Sequence, residues 1–126
     1  MSYNSFEELE VYKVCRAFRQ EISNLMQTNI PAEERFMLKT QIIKSSRSVT
    51  AQIAEGFGRF HFQENIQFCR IARGSLTETL DHLLVAFDEN YIDQHTLDKM
   101  RVHYMQCLKL LNGYISYLKS QKKETY

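Results

Sequence analysis

Proline and glycine are scarce in this chain, which has one proline and four glycines in 126 residues. An all-β fold needs a turn every 8–12 residues or so, and these residues supply most turns. No apolar run approaches the roughly 18 residues of a membrane span. The opening, Met1-Ser-Tyr-Asn-Ser-Phe-Glu-Glu, is acidic and polar, unlike the basic-then-apolar start of a secretory signal. Cysteine is also sparse: Cys15, Cys69 and Cys107 lie far apart and form no C-x-x-C pair. Such a scattered, odd set points to reduced thiols in a cytoplasmic protein. Each sits among apolar positions at helical spacing, so small core hydrophobes are expected rather than reactive nucleophiles.

Equally informative is the chemistry that is missing. Metal sites in helical bundles use Glu-x-x-His pairs on facing helices, and no Glu-x-x-His occurs. The histidines His61, His82, His95 and His103 are scattered, so no metal is expected. There is no P-loop, no G-x-G-x-x-G and no G-x-S-x-G. Nothing assembles a nucleophile, a base and an orienting group. The expectation is a non-enzymatic protein without a cofactor.

What is present is a helical pattern at 44% hydrophobic and 25% charged residues. The spacing predicts four helices in one domain over residues 1–126: about 6–28, 32–57, 63–89 and 93–118, with a frayed tail at 119–126. In the first, Val11, Cys15, Phe18, Ile22 and Leu25 alternate by four and three. Ser5 with Glu8 reads as its capping box, and Pro31 suits the first turn of the second helix. In the second, Leu38, Ile42, Val49, Ile53 and Phe57 form the apolar seam. A polar stripe, Gln41, Ser45, Ser48, Gln52, Glu55 and Arg59, repeats at the same spacing, which usually marks a solvated face. Gly56 or Gly58 is expected to end that helix in a left-handed conformation. The third helix carries Phe62, Ile66, Cys69, Arg73, Leu76, Leu80, Leu83 and Phe87. Arg73 in that seam calls for a carboxylate partner, with Glu55 and Glu78 the candidates. Gly74 beside it points to a close approach by another helix or a ligand. Asn90 reads as a C-terminal cap and Asp93 as an N-cap. Long helices with short connections predict an all-α, antiparallel up-down-up-down four-helix bundle.

Charge is unevenly spread. Residues 1–34 carry a net −3, residues 35–75 a net +5 and residues 76–126 a net −1. The basic middle third, which includes Arg35, either forms a polyanion-binding face or pairs internally with the acidic first helix.

Three segments carry a resemblance: Ser48-Val-Thr-Ala-Gln-Ile-Ala-Glu-Gly-Phe-Gly-Arg59, Gln63-Glu-Asn-Ile-Gln-Phe68 and Ala72-Arg-Gly-Ser-Leu-Thr-Glu78. With Pro31-Ala-Glu-Glu-Arg-Phe and Leu111-Asn-Gly, they resemble the four-helix-bundle family named for the 23S rRNA intervening sequence. Two positions depart from its pattern, Thr50 where proline is common and Gln52 where asparagine is common. The resemblance implies a bundle that assembles into a ring, often a homopentamer. Accessory proteins of diversity-generating retroelements are similar barrels that bind nucleic acid, so RNA or DNA is a partner by analogy.

The expected function is therefore a homo-oligomeric, pentameric ring that binds RNA or DNA through a basic face of the second and third helices. The contact residues would be Lys39, Lys44, Arg47, Arg59, His61 and Arg70. The alternative is a structural or protein-interaction scaffold, for which Tyr12, Tyr104, Tyr114, Tyr117, Phe60 and Phe62 would supply interface aromatics. Ser48, Gln52, Glu55, Arg73 and Glu78 are expected to form a structural polar network.

Overall fold

The computed structural model describes residues 3–34 and 36–125, with side chains through residue 122. Arg35 lies outside the described residues. Among them the chain forms four α-helices and no strand: α1 (Glu10–Thr28), α2 (Leu38–Gly58), α3 (Phe62–Asp88) and α4 (Gln94–Thr125). Short 3-10 turns, Phe6–Glu8 and Ala32–Glu34, precede α1 and α2. Each helix packs on its neighbours in sequence, and α1 also packs on α4. No helix is long and apolar enough to cross a membrane.

The caps follow from the sequence. Ser5 Oγ accepts from Glu7 N at 3.1 Å and caps the short turn, while Glu8 accepts from Asn4 N at 3.3 Å, so both bonds are shifted by one residue from the expected Ser5–Glu8 box. Leu9 then turns the chain into α1 with extended backbone. Asp93 accepts from Thr96 N at 2.8 Å and caps α4. Asn90, at φ 65°, lets Tyr91 N donate back to Ala86 O at 2.9 Å, the six-to-one bond of a Schellman ending. Two boundaries differ from expectation. The residues after Pro31 form a 3-10 turn, so α2 begins at Leu38 and not at residue 32. The tail is not frayed from residue 119, since α4 continues to Thr125 and Lys122 donates to Gln63 on α3.

The core holds Val11, Cys15, Phe18, Ile22 and Met26 of α1 against Ile42, Val49 and Ile53 of α2. Met26, rather than the expected Leu25, completes the α1 seam. Leu76 and Leu83 of α3 and Tyr104, Cys107 and Leu111 of α4 close it. Tyr104 is therefore a core residue, 7% exposed, and not an interface aromatic. Glu21 accepts from His103 at 2.7 Å and Arg19 donates to Thr50 at 2.8 Å, tying α1 to α4 and to α2.

The α2–α3 contact corrects the reading of the polar stripe. Ser45 is 4% exposed and shares a 2.8 Å hydrogen bond with Thr79, which is 0% exposed. Ser48 pairs with Ser75, also at 2.8 Å. Rising numbers on α2 meet falling numbers on α3, so the two helices run in opposite directions. Ser45 and Ser48 of the stripe thus lie in a packing seam. Hydroxyls serve there because one of the pair donates across the gap while the other donates to a carbonyl of its own helix, Ile42 O for Ser45 or Ser75 O for Thr79. Facing them, α3 presents Asn65, Ala72, Thr79 and Ala86 at seven-residue spacing, all buried.

Small residues let the backbones approach. A Cβ on Gly56 would lie 2.6 Å from Asn65 Oδ1 and 2.9 Å from Phe68 Cβ. Gly56 and Gly58 both lie within α2, and no glycine has positive φ, so neither caps the helix in the expected way. Gly74 is the reverse: a Cβ there meets nothing within 4 Å. The close approach expected at Gly74 is at Gly56.

Gly56→Ala should lower stability by about 1–2 kcal/mol, because overpacking outweighs the gain in helix propensity. Gly74→Ala should raise it by about 0.5–1 kcal/mol. Denaturant titrations at unchanged slope check both signs. Burial pushes the Cys69 thiol up to about 12. A hydrogen bond with Cys107, then burial, raises Cys15 as well. The native chain at pH 8 should therefore resist a disulfide reagent at all three buried thiols and react at all three once unfolded. A fast-reacting thiol in the native state would contradict this.

Candidate nucleic-acid interface

The α2–α3 turn follows from how α2 ends. Arg59 N and Phe60 N bond back to Gly56 O and Phe57 O at 3.2 and 3.3 Å. Phe60 then takes φ 54°, and Asn65 N donates to His61 O at 2.9 Å to start α3. A bulky residue at positive φ is a genuine outlier. Phe60 is 87% exposed, so its ring is offered to solvent between Arg59 and His61, both exposed as well.

Arg59 is the best-held cation of the expected set. It donates to Glu55 at 3.3 Å, and its guanidinium lies 5.1 Å from the centre of the Phe68 ring. Both ends of the ion pair are about half exposed, so it adds little stability. Lys44, Arg47 and Arg70 are exposed and have no carboxylate within ion-pair distance among the described residues. Lys39 is half-buried, and five residues of helix turn it about 140° away from Lys44. Arg47 lies about 60° round α2 from Lys44. The cations therefore wrap the outer side of α2 and the start of α3 rather than lining one flat face. On the same side of the turn, Lys122 of α4 reaches Gln63, a cation that the reading of a frayed tail hid.

The expected network of Glu55, Arg73 and Glu78 does not form within the chain. Arg73 donates to Asn112 of α4 at 2.9 Å. Glu55 pairs with Arg59, and Glu78 with His82 at 3.1 Å. The cause is helical geometry: five residues separate Arg73 from Glu78, about 140° of rotation, so they face apart. Half-buried Arg73 is satisfied by a neutral amide. Of the other expected members, Ser48 joins Ser75 and Gln52 is half-buried on the same side of α2.

Beside the turn, Asn65 donates to Tyr114 Oη at 3.1 Å, and burial pushes the Tyr114 hydroxyl up to about 12. Tyr114 stacks on Tyr117, with ring centres 6.3 Å apart. Among the described residues no three His, Cys, Asp or Glu side chains converge where a metal could bind. At the far end of α2 a cleft is lined by Glu34, Gln41, His82 and Tyr91. There Tyr91 donates to Glu34 at 3.1 Å and His82 bonds Glu78 of its own helix.

No curated protein matches the chain. Among solved structures it is similar to a protein of unknown function from the S23 ribosomal protein family of Bacteroides thetaiotaomicron. The TM-score is 0.77 at 24% identity, over 84% of this chain and 95% of that one, a likeness of fold. The family model described as 23S rRNA-intervening sequence protein matches residues 7–113, the span that holds the α2–α3 seam and its turn. The chain therefore belongs to the 23S rRNA-intervening sequence protein family.

Proposed function

We propose that this chain is a non-enzymatic, cytoplasmic, homo-oligomeric protein that binds RNA or DNA with the outer side of α2, the start of α3 and the turn between them. We read the four helices as an up-down-up-down bundle and the assembly as a ring, a pentamer by resemblance to the family. The observation that carries the binding reading is the turn itself. An 87% exposed phenylalanine at positive φ stands between Arg59 and His61, with Lys44, Arg47 and Arg70 unneutralised nearby in sequence. Cations engage phosphates without regard to sequence. An exposed aromatic ring adds a stacking platform for an unpaired base. Repetition of the surface around an assembly adds avidity to a weak single site.

The scaffold reading rests on exposed apolar residues elsewhere, Val102 and Met105 among them. Two sets of variants separate the readings. Lys44→Glu with Arg47→Glu and Arg70→Glu should abolish binding to a structured RNA at low salt while leaving the helical signal intact. Phe60→Gly keeps the positive φ available. It should weaken single-stranded RNA by about 5–100-fold, the worth of one stacked base, with duplex DNA little changed. Binding by the unaltered chain should fall steeply with salt. A chain that ignores RNA and DNA at low salt would overturn the binding reading and leave the scaffold.

A further inference from the structure

Arg59 is a cation whose charge is already engaged. Its guanidinium lies over the Phe68 ring, 5.1 Å from the ring centre, and donates to Glu55 at 3.3 Å. Phe68 of α3 thus covers one side of the group, and Glu55 of α2 takes one edge. The Arg59 side chain is still 47% exposed, so the side away from Phe68 faces solvent. A phosphate would have to compete with the Glu55 carboxylate for this group. A flat ring would not, because a guanidinium held by its edge still offers its face. The next residue is Phe60, whose ring is 87% exposed and meets Phe57 with ring centres 6.1 Å apart. Neighbouring Cα atoms are about 3.8 Å apart. Two flat groups, one cationic and one aromatic, therefore stand next to each other on the turn.

We propose that Arg59 and Phe60 each stack one unpaired base, so that the turn takes two successive bases of a single strand and Arg59 serves as a plane rather than as a phosphate contact. This rests on the proposal that the turn binds nucleic acid, and it names the form of nucleic acid bound there. Unpaired bases stack on guanidinium planes as well as on aromatic rings. The bases of a duplex already stack on one another and are closed to both groups. Every base has a flat face, so the site selects single strands without reading their sequence. Phe68 and Glu55 hold the guanidinium before a ligand arrives, which reduces the freedom lost on binding. Glu55 is thus a positioning residue for Arg59. The phosphates on either side fall to the cations without a carboxylate partner, Lys44, Arg47 and Arg70.

The test measures binding of the full chain to a short labelled single-stranded RNA and to inorganic polyphosphate, which has charge and no bases. Arg59→Lys keeps the charge and loses the plane. It should weaken the RNA by about 5-fold or more, nearly as much as Arg59→Ala does. It should weaken polyphosphate by less than about 2-fold, because the charge remains. Adding Arg59→Lys to Phe60→Gly should multiply the two losses on RNA, since each group holds its own base. The Glu55–Arg59 pair adds little stability, so the helical signal should be unchanged in every variant. A lysine variant that binds RNA like the unaltered chain, or that loses RNA and polyphosphate equally, would overturn the stacking role and leave the binding reading standing. A double variant no weaker than Phe60→Gly alone would overturn the second base. No RNA binding by the unaltered chain at low salt would overturn both this inference and the reading beneath it.

Discussion

Close approach of α2 and α3 is the constraint on which the rest depends. Apolar side chains of ordinary size would hold two helices 8–10 Å apart. Here serine, threonine, alanine and glycine line the contact, Gly56 lies against Asn65 and Phe68, and the hydroxyls bond across the gap. Each cross-helix bond is worth about 1 kcal/mol net. Their larger effect is on register, because a slip of one position would break both cross-helix bonds. It would also drive a side chain into the space that Gly56 leaves beside Asn65 and Phe68. No buried side-chain nitrogen or oxygen among the described residues lacks a partner, so the seam achieves full satisfaction in one alignment.

From that pair the other helices take their positions. Thr50, on the opposite side of α2 from the seam, accepts from Arg19 and so places α1. Asn65 sits at the edge of the seam and reaches Tyr114, while Arg73 reaches Asn112 two residues earlier on α4. One helix pair thus sets the height of both its neighbours, and Glu21 with His103 closes the circuit between α1 and α4. The turn at Arg59–His61 is held by helices fixed on both sides.

The sequence disclosed the elements that obey a single rule. Apolar periodicity located every helix, and Asp93 and Asn90 marked their caps because capping chemistry is local. It misled where one pattern has two meanings. A stripe of Ser45, Ser48 and Gln52 reads as solvated or as a close-packed seam, and only the partner helix decides. The decisive signal was present on α3, in Asn65, Ala72, Thr79 and Ala86 at seven-residue spacing, but it is small-residue periodicity rather than apolar periodicity. Gly56 and Gly74 look alike in the chain, and only the packing tells which of them another helix approaches. Arg73 in the apolar seam calls for a carboxylate and meets the Asn112 amide instead, since side chains five apart on a helix face different neighbours. The tail at 119–126 is charged enough to read as frayed, yet α4 continues to Thr125, and Lys122 meets Gln63 of α3.

Surface function is harder to read because outward side chains answer to no packing rule. Physical inconsistency is then the better guide. Asn90 and Phe60 both adopt positive φ, and they differ in what the conformation achieves. Asn90 tolerates it and closes a helix end, so its conformation is explained inside the chain. Phe60 is a residue type disfavoured there, at a cost of about 1–3 kcal/mol, and its ring remains 87% exposed. Glycine or asparagine would form the same turn with less strain. Within the chain the Phe60 ring meets that of Phe57, with ring centres 6.1 Å apart, and leaves the rest of its surface to solvent. Val102 and Met105 pose the same question on α4, since polar residues would serve a solvated helix face better. The fold accounts for the inward residues, and these outward exceptions are the residues on which the proposed contacts rest.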